Sequence, residues 1–177
     1  MGERWRNTAL LVIDMQKDFI EEASVRRVKG GKSIVPNVVG VVELARQRGI
    51  IVIWVVREHD PQGRDVELFR RHLYNSEKVG PVVKGTVGAE LVDGLMIKEE
   101  EDYKIVKTRF SAFFGVQTPN CIRQTVFDAV ELDYPSVTVI TDATAAATPE
   151  IHTANILDMK NIGIKTPSLH EWSEEFA

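Results

Sequence analysis

The chain has 177 residues, of which 22 are basic and 26 acidic, and a formal net charge of −4. Its length suits one domain, and its acidic balance argues against a protein built mainly to bind nucleic acid, which needs an excess of Lys and Arg. One cysteine and no secretory signal predict a reducing, cytoplasmic location, and the apolar run at residues 9–13, before Asp14, is too short to cross a membrane.

The first predicted elements are a strand, a helix and a second strand. Residues 8–14 and 50–56 are apolar runs that each lead into polar residues, which is typical of strands buried on both faces of a parallel sheet. Between them, residues 36–48 carry apolar side chains at helical spacing and end at Gly49. This order predicts an α/β fold.

The rest of the chain continues the alternation without repeats or linkers, which predicts a single domain over residues 1–177. The predicted elements are short helices at 66–74 and 88–96, a solvated acidic turn at 99–102, a strand at 103–107, a helix at 119–133 capped by Thr118, a strand at 136–141, a helix at 150–159 capped by Thr148, and a short strand at 161–165.

Three polar side chains stand where an α/β sheet places its ligands, beyond the carboxyl ends of the strands. Asp14 ends the first strand, Lys107 ends the third, and Cys121 lies in the first turn of the helix after Thr118. A helix N-terminus and a nearby lysine both favour a thiolate, and a carboxylate can accept the thiol proton. The combination predicts a nucleophile, a base and an electrostatic partner.

Each of these residues also has a structural interpretation. A lone cysteine is more often a small buried apolar side chain than a nucleophile. Asp14 can cap a turn, and Lys107 can be a solvated charge at a strand end. The catalytic interpretation therefore depends on all three residues lying together.

No pattern in the sequence predicts a cofactor. The chain has no H-x-H, H-E-x-x-H or paired cysteines that would hold a metal, and no phosphate-binding glycine loop follows a strand. His59 follows the second strand and is a candidate for the rim of a site. Phe19 and Phe110 are expected in the core or in the wall of a pocket.

These segments resemble the isochorismatase-like cysteine hydrolases, the superfamily that includes nicotinamidases and N-carbamoyl amidohydrolases. The similar segments are residues 10–19 around Asp14, residues 106–114 around Lys107, residues 115–121 up to Cys121, and residues 142–145. The similarity covers nearly the whole chain and is strongest to plant-type members of unassigned substrate. It implies a three-layer α/β/α fold with a mostly parallel, Rossmann-like sheet.

The resemblance also implies a mechanism and a set of site residues. Asp14 takes the proton of Cys121, the thiolate attacks a small amide or carbamoyl substrate, and Lys107 orients the pair. The backbone N–H groups of Gln117 and Cys121 form the oxyanion hole, beside a cis peptide at 116–117. Substrate contacts are expected from Gln16, Phe19, Arg57, His59 and Phe110. Family members commonly form homo-oligomers, so one is expected here.

Two departures from the family pattern stand out. Residues 57–63 supply His59 and Asp60 but not the full metal-binding set of a nicotinamidase, so no metal is expected. Family members also carry a helix and a central strand, about twenty residues in all, before the segment that starts at Gly115. Unpaired backbone groups at the centre of a buried sheet are costly, so this shortfall predicts a gap beside the first strand.

Three origins of the shortfall are open. They are a splice form or engineered deletion, an incomplete sequence, and a rearrangement in which residues 110–116 enter the gap as a strand. The shortfall leaves a second hypothesis beside the hydrolase: a catalytically inactive variant that binds a partner or regulates one.

Overall fold

The computed structural model describes residues 5, 7–24, 26–75, 78–109 and 118–174. In chain order the helices and strands are β1 Ala9–Ile13, α1 Lys17–Ile20, α2 Gly31–Gln47, β2 Ile51–Arg57, the 3-10 helices Leu68–Leu73 and Val87–Ala89, β3 Tyr103–Lys107, a π-helix Thr118–Ile122 that runs into α3 Arg123–Glu131, the 3-10 helix Thr141–Ala143, α4 Pro149–Asn161 and α5 Leu169–Glu174. Within these described residues, no helix is both long enough and apolar enough to span a membrane.

The three strands form one parallel sheet in the order β1-β2-β3. Leu11 pairs with Ile53 and Ile53 with Tyr103, so side chains of these three residues share one face of the sheet. The predicted α/β class and the first three strands are confirmed. Because all three strands run the same way, their carboxyl ends lie at one edge.

One face of the sheet is covered by α2. Residues 38, 41, 42 and 45 lie on one side of α2. They pack against the strand residues whose side chains point to the face opposite that of Leu11, Ile53 and Tyr103, and together they form the main core. The buried members of this contact are Val12, Val38, Val41, Val42, Ala45, Val52 and Trp54. This layer fixes the strands whose ends carry the polar residues.

The other face of the sheet is largely uncovered at the amino-terminal part of β1 and β2 and along β3. Leu11, Ile51, Tyr103 and Ile105 are 40%, 43%, 62% and 46% exposed. Among the described residues, this face is packed towards the carboxyl ends of β1 and β2, where Ile122 joins the cluster of Ile13, Val55 and Ile53. Within the described residues β1 is also an edge strand. An open edge and an open apolar face are what the loss of a neighbouring strand and helix would leave.

The predicted strands at 136–141 and 161–165 are wrong. These segments meet only through one parallel bridge between Thr138 and Lys165, and Thr141 already belongs to a 3-10 helix. They pack with α3 and α4 in a small cluster of their own around Met159 and Val126. A strand is stable only when a neighbour satisfies its backbone groups, and the described sheet offers these segments no partner.

Two smaller expectations also need correction, and one is confirmed. Residues 88–96 form no helix beyond the single turn Val87–Ala89, and residues 90–96 follow it as irregular chain and turns. Thr118 does not cap a helix; it opens the π-helix. Thr148 does cap α4, because its hydroxyl accepts a hydrogen bond from the Ile151 amide at 3.3 Å.

The acidic turn at 99–102 hides one structural carboxylate. Asp102 has a side chain only 1% exposed, and its Oδ2 accepts hydrogen bonds from Arg46, from the indole of Trp54 and from the amide of Lys98. Burial raises the pKa of Asp102, but these donors outweigh it and hold that pKa below its usual value. The sequence predicted a solvated turn, which holds for its three glutamates only.

Replacing Asp102 by alanine is expected to lower the free energy of unfolding by about 2–4 kcal/mol, because three donors, one of them charged, would lose their acceptor. Urea denaturation measures the change. Glu100→Ala, in the same turn but exposed, is the matched control and should change stability by less than about 0.5 kcal/mol. Equal midpoints for the two variants would contradict this role of Asp102.

Candidate active site

Asp14 directly follows β1, at the point where the chain leaves the strand. Its backbone has a φ of 50°, in the left-handed region, where aspartate is among the residues that tolerate it. Its amide donates to the Val55 carbonyl at 2.8 Å, so the residue is still held by β2. Asp14 is 2% exposed. A strained backbone that aims a buried carboxylate is a common feature of functional sites.

Lys107 ends β3 and reaches across β2 to Asp14. Its Nζ donates to Asp14 Oδ2 at 2.8 Å, and neither side chain is more than 3% exposed. Burial lowers the pKa of Lys107 below its ordinary value, while the carboxylate of Asp14 acts against this shift. The two strand-end residues predicted from the sequence thus form a buried ion pair.

Cys121 completes the group. Its Sγ lies 4.0 Å from Asp14 Oδ2, the same oxygen that accepts from Lys107, and the residue is 5% exposed. The cysteine sits in the π-helix, a wide turn that is rare and often found at functional sites. The described structure therefore brings together the three residues that the sequence singled out.

Hydrogen bonds of Thr118 fix the position of the π-helix that carries Cys121. Thr118 is fully buried, and its hydroxyl donates to the Ala145 carbonyl at 2.9 Å. That hydroxyl has one proton, so it accepts from His152 Nδ1, which lies 3.0 Å away. Burial lowers the pKa of His152. Thr118 thus ties the start of the π-helix to α4 and to the segment before α4.

A cavity of about 330 Å³ opens beside this group. Asp14 and Cys121 line it, and so do three of the predicted substrate residues, Phe19, Arg57 and His59. The other predicted positions that concern the pocket and the oxyanion hole, Phe110, Gln117 and the peptide bond 116–117, lie outside the described residues.

Gln16 is not among the residues that line the cavity; its side chain is hydrogen-bonded to the backbone of Arg57 and Ala89. Its amide nitrogen donates to the carbonyls of Arg57 and Ala89 at 2.7 and 2.8 Å, and its amide oxygen accepts from the Arg57 amide at 2.7 Å. The side chain is fully buried, and these bonds use both of its donors. Gln16 therefore positions the end of β2 relative to the end of β1.

Arg57 is 1% exposed and lies between two carboxylates. Its Nε is 3.9 Å from Asp14 Oδ2, and its Nη1 is 3.6 Å from Glu67 Oε1. Its Nη2 donates to the carbonyl of Arg109 at 2.5 Å. The guanidinium adds a second positive charge next to Asp14, beside that of Lys107.

His59 also lines the cavity. Its Nδ1 lies 3.3 Å from Asp65 Oδ1, and its ring meets that of Tyr74 edge-on, with centroids 5.7 Å apart. Burial first, and then the charge of Arg57, lower the pKa of His59. Its Nε2 has no hydrogen-bond partner among the described residues.

The residues around His59 do not fit a metal centre. In the described part of the chain, no three His, Cys, Asp or Glu side chains converge as metal ligands. A buried arginine close to His59 adds positive charge where a cation would sit. Among the described residues, His59 and its neighbours therefore do not form a set of three metal ligands.

The sequence analysis missed ten further cavity residues; the charged, histidine and aromatic ones among them are Arg26, Arg27, Phe69, Arg70, His72 and Tyr74. They come from the loop after α1 and from the 3-10 helix Leu68–Leu73 with its following residue. The only signal available was the predicted short helix at 66–74. The sequence of this predicted helix does not indicate that it lies near the carboxyl ends of the strands.

The comparison with known families decides the classification. The isochorismatase domain profile matches residues 8–115 and 113–171. The chain belongs to the isochorismatase domain family. Its fold agrees with a solved isochorismatase family protein from Desulfovibrio vulgaris, at a TM-score of 0.89 and 40% identity over 94% of this chain and 96% of that one.

Two curated relatives place the chain within the isochorismatase family. A protein of Arabidopsis thaliana named a probable inactive nicotinamidase is 80% identical over the full length of both chains. The ureidoacrylate amidohydrolase RutB of an Enterobacter species is 26% identical over 82% of this chain and 78% of that protein. The chain is thus an isochorismatase-family protein related to hydrolases of the amidase type.

The same comparisons bear on the length of the chain. The alignment with the Arabidopsis relative spans 196 positions, 19 more than the 177 residues present. The two family matches meet at residues 113–115, where the sequence analysis placed the shortfall. Both observations support a segment of about twenty residues that relatives have before Gly115 and this chain lacks.

Proposed function

We propose that the chain is a hydrolase of a C–N bond in a small amide or carbamoyl compound, with Cys121 as nucleophile. One observation carries the proposal: a single carboxylate oxygen of Asp14 lies 2.8 Å from Lys107 Nζ and 4.0 Å from Cys121 Sγ, beside the cavity. Asp14 can accept the thiol proton, and the positive charge of Lys107 can stabilise the thiolate that forms.

The first half of the reaction forms a thioester. Asp14 takes the thiol proton, and the sulfur attacks the amide carbon, so that an S–C bond forms and the carbonyl electrons move to oxygen. The oxyanion is assigned to the backbone N–H groups of Cys121 and Gln117, as the family resemblance implies. When the carbonyl re-forms, the C–N bond breaks, and the leaving amine takes the proton from Asp14.

The second half releases the acid. Water loses a proton to Asp14 as its oxygen attacks the thioester carbon, and collapse breaks the S–C bond to give a carboxylic acid and the thiolate. The proton on Asp14 then returns to the sulfur. Throughout, Lys107 keeps its charge beside Asp14 and so holds the carboxylate in the position from which it reaches the sulfur.

The reactivity of Cys121 towards iodoacetamide tests this proposal. At neutral pH we expect alkylation far faster than that of free cysteine, protection by the small amides that bind, and ammonia release from those that react. The adduct is unambiguous because the chain has one cysteine, and Cys121→Ala gives the blank. An alkylation rate equal to that of free cysteine would overturn the thiolate assignment.

A catalytically inactive binding protein is the second candidate. The 80% identical relative is named a probable inactive nicotinamidase, and the alignment with it spans 19 positions more than this chain has. This function predicts a cooperatively folded protein that binds small amides without ammonia release. Ammonia release by a sample whose thermal melt, followed by circular dichroism, is cooperative therefore distinguishes the two candidates: the hydrolase releases ammonia and the binding protein does not.

A further inference from the structure

A histidine of α4 lies against the π-helix that carries Cys121. His152 follows the cap of α4 by one turn, and its amide donates to the Thr148 carbonyl at 3.1 Å. Its ring reaches back 34 positions along the chain, where Nδ1 lies 3.0 Å from the hydroxyl oxygen of Thr118. Neither His152 nor Thr118 lines the cavity. The proposed reaction uses neither side chain, although Thr118 begins the element that contains the nucleophile.

The hydrogen bonds of Thr118 fix the position of the proton on this histidine. The amide of Thr118 donates to the Ala145 carbonyl at 3.1 Å, and its hydroxyl donates to the same oxygen at 2.9 Å. A carbonyl oxygen only accepts, so the single proton of the hydroxyl points at Ala145. The hydroxyl can then only accept from His152, and the proton of that bond must lie on Nδ1. In the neutral ring Nε2 is therefore unprotonated.

The Ala145 carbonyl belongs to a segment that is anchored on α2. Ala145 is 5% exposed and packs in the main core, and Asn37 of α2 donates to the nearby Asp142 carbonyl at 2.8 Å. Helix α2 also packs on β1, the strand that Asp14 follows. Thr118 thus connects the π-helix to the layer that holds the strand of the catalytic carboxylate.

The position of Cys121 relative to Asp14 depends on this connection. Helix α3, which continues the π-helix, packs with α4 in the separate cluster around Met159 and not in the main core. The distance of 4.0 Å from Cys121 Sγ to Asp14 Oδ2 is already long for a hydrogen bond from a thiol. A displacement of about 1 Å in a reacting group can cost on the order of 10²-fold in rate. The hydroxyl of Thr118 therefore has a direct route to the reactivity of the thiol.

We propose that Thr118 and His152 are positioning residues for Cys121, with Thr118 as the main one. The inference rests on the proposed function. The Nδ1–H of His152 donates to the Thr118 hydroxyl, which donates to Ala145, and in such a chain each hydrogen bond polarises the next. The chain fixes the π-helix at the distance from which the thiol of Cys121 reaches Asp14.

Nitrogen-15 NMR of the wild-type chain reads the tautomer directly. Burial lowers the pKa of His152, so a sample at neutral pH holds the neutral ring. We expect a protonated Nδ1 and a bare Nε2, with the signals assigned by their loss in His152→Asn. The exposed His170 is the internal control; its Nε2 lies 3.6 Å from Glu174 and should carry the proton. A neutral His152 protonated at Nε2 would overturn the inference.

Four variants test the effect on Cys121. Thr118→Val keeps the shape of the side chain but removes the hydroxyl, and should slow alkylation by iodoacetamide about tenfold. Thr118→Ser restores the hydroxyl and most of the rate. His152→Leu removes the donor and should cost less, about threefold, whereas the amide nitrogen of His152→Asn replaces Nδ1 and should keep the rate near that of wild type. The double variant Thr118→Val/His152→Leu should be no slower than Thr118→Val, because the two residues act as one unit.

Any amide that the wild-type chain turns over gives a second readout. Because neither residue lines the cavity, Thr118→Val should lower kcat and leave KM nearly unchanged. Thr141→Val is the matched control. The Thr141 hydroxyl also donates to a carbonyl, that of Pro167 at 3.2 Å, but outside the π-helix, so this variant should keep wild-type values. A thermal melt shows whether each variant is folded.

The outcomes separate this inference from the proposed function. Slow alkylation of wild-type Cys121 would overturn the proposed function, whatever the tautomer of His152. Fast alkylation of the wild type, with Thr118→Val and Thr118→Ser equally fast, would overturn the inference alone. A raised KM at constant kcat would also overturn it, because that result indicates contact with the substrate. If Thr118→Val does not fold, equal rates for His152→Leu and His152→Asn would count against the inference in the same way.

Discussion

Cys121→Ala is expected to lower hydrolysis of any amide that the wild-type chain turns over by at least about 10³-fold, because the covalent intermediate cannot form. Asp14→Asn should cost roughly 10³-fold in kcat, since an amide side chain cannot accept the thiol proton. Ammonia release under saturating amide measures both effects. The two losses should not add in the double variant, because both residues act in the same step.

Asp93→Asn is the control for the charge change at Asp14. Asp93 is 90% exposed and lies 3.5 Å from Lys17, away from the cavity residues, so its variant should keep wild-type turnover. Asp14→Asn also leaves Lys107 without its carboxylate, so a thermal melt must accompany the kinetics. Full activity in a folded Cys121→Ala variant would contradict the proposed mechanism.

Insertion of the segment that the Arabidopsis relative carries at this point, before Gly115, is expected to stabilise the fold by several kcal/mol. Within the described residues, β1 has an open edge, and Leu11, Ile51, Tyr103 and Ile105 form an exposed apolar face; these are the surfaces that an added helix and strand would cover. Burial contributes on the order of 25 cal/mol for each Å² of apolar surface covered. Urea denaturation should show a higher midpoint and a steeper slope, because more surface is exposed on unfolding.

A glycine- and serine-rich insert of equal length is the control for that prediction. It adds the same chain length with few apolar groups, so it should leave the midpoint unchanged or lower it slightly through loop entropy. If the relative's segment and the polar insert behave alike, the open face is not the site of a lost element.

The sequence predicted the residues that lie at the ends of regular elements. Asp14 and Lys107 end apolar runs, and parallel strands bring their ends to one edge, so their meeting follows from the strand pattern alone. Cys121 was found from its place in the first turn of a helix. The helix itself was predicted without its π-turn, because hydrophobic spacing does not distinguish one helical winding from another over a single turn.

The residues that the sequence did not predict come from loops and from the short 3-10 helix Leu68–Leu73. Arg26 lies in a segment without a periodic pattern and Arg70 in a short predicted helix, and only the tertiary structure shows that both line the same cavity as Cys121. Asp102 was hidden in an acidic run whose other members are exposed. The strand predicted at 136–141 failed for a further reason: its apolar run suits a strand, but pairing depends on a neighbour that lies elsewhere in the chain.

The single cysteine in the sequence has a consequence for oxidation. A peroxide that reaches Cys121 would convert its sulfur to a sulfenic acid, which other proteins protect by forming a disulfide with a second cysteine. This chain has no second cysteine. Its recovery therefore depends on a thiol from solution small enough to enter a cavity of about 330 Å³. Without such a thiol, further oxidation would be irreversible.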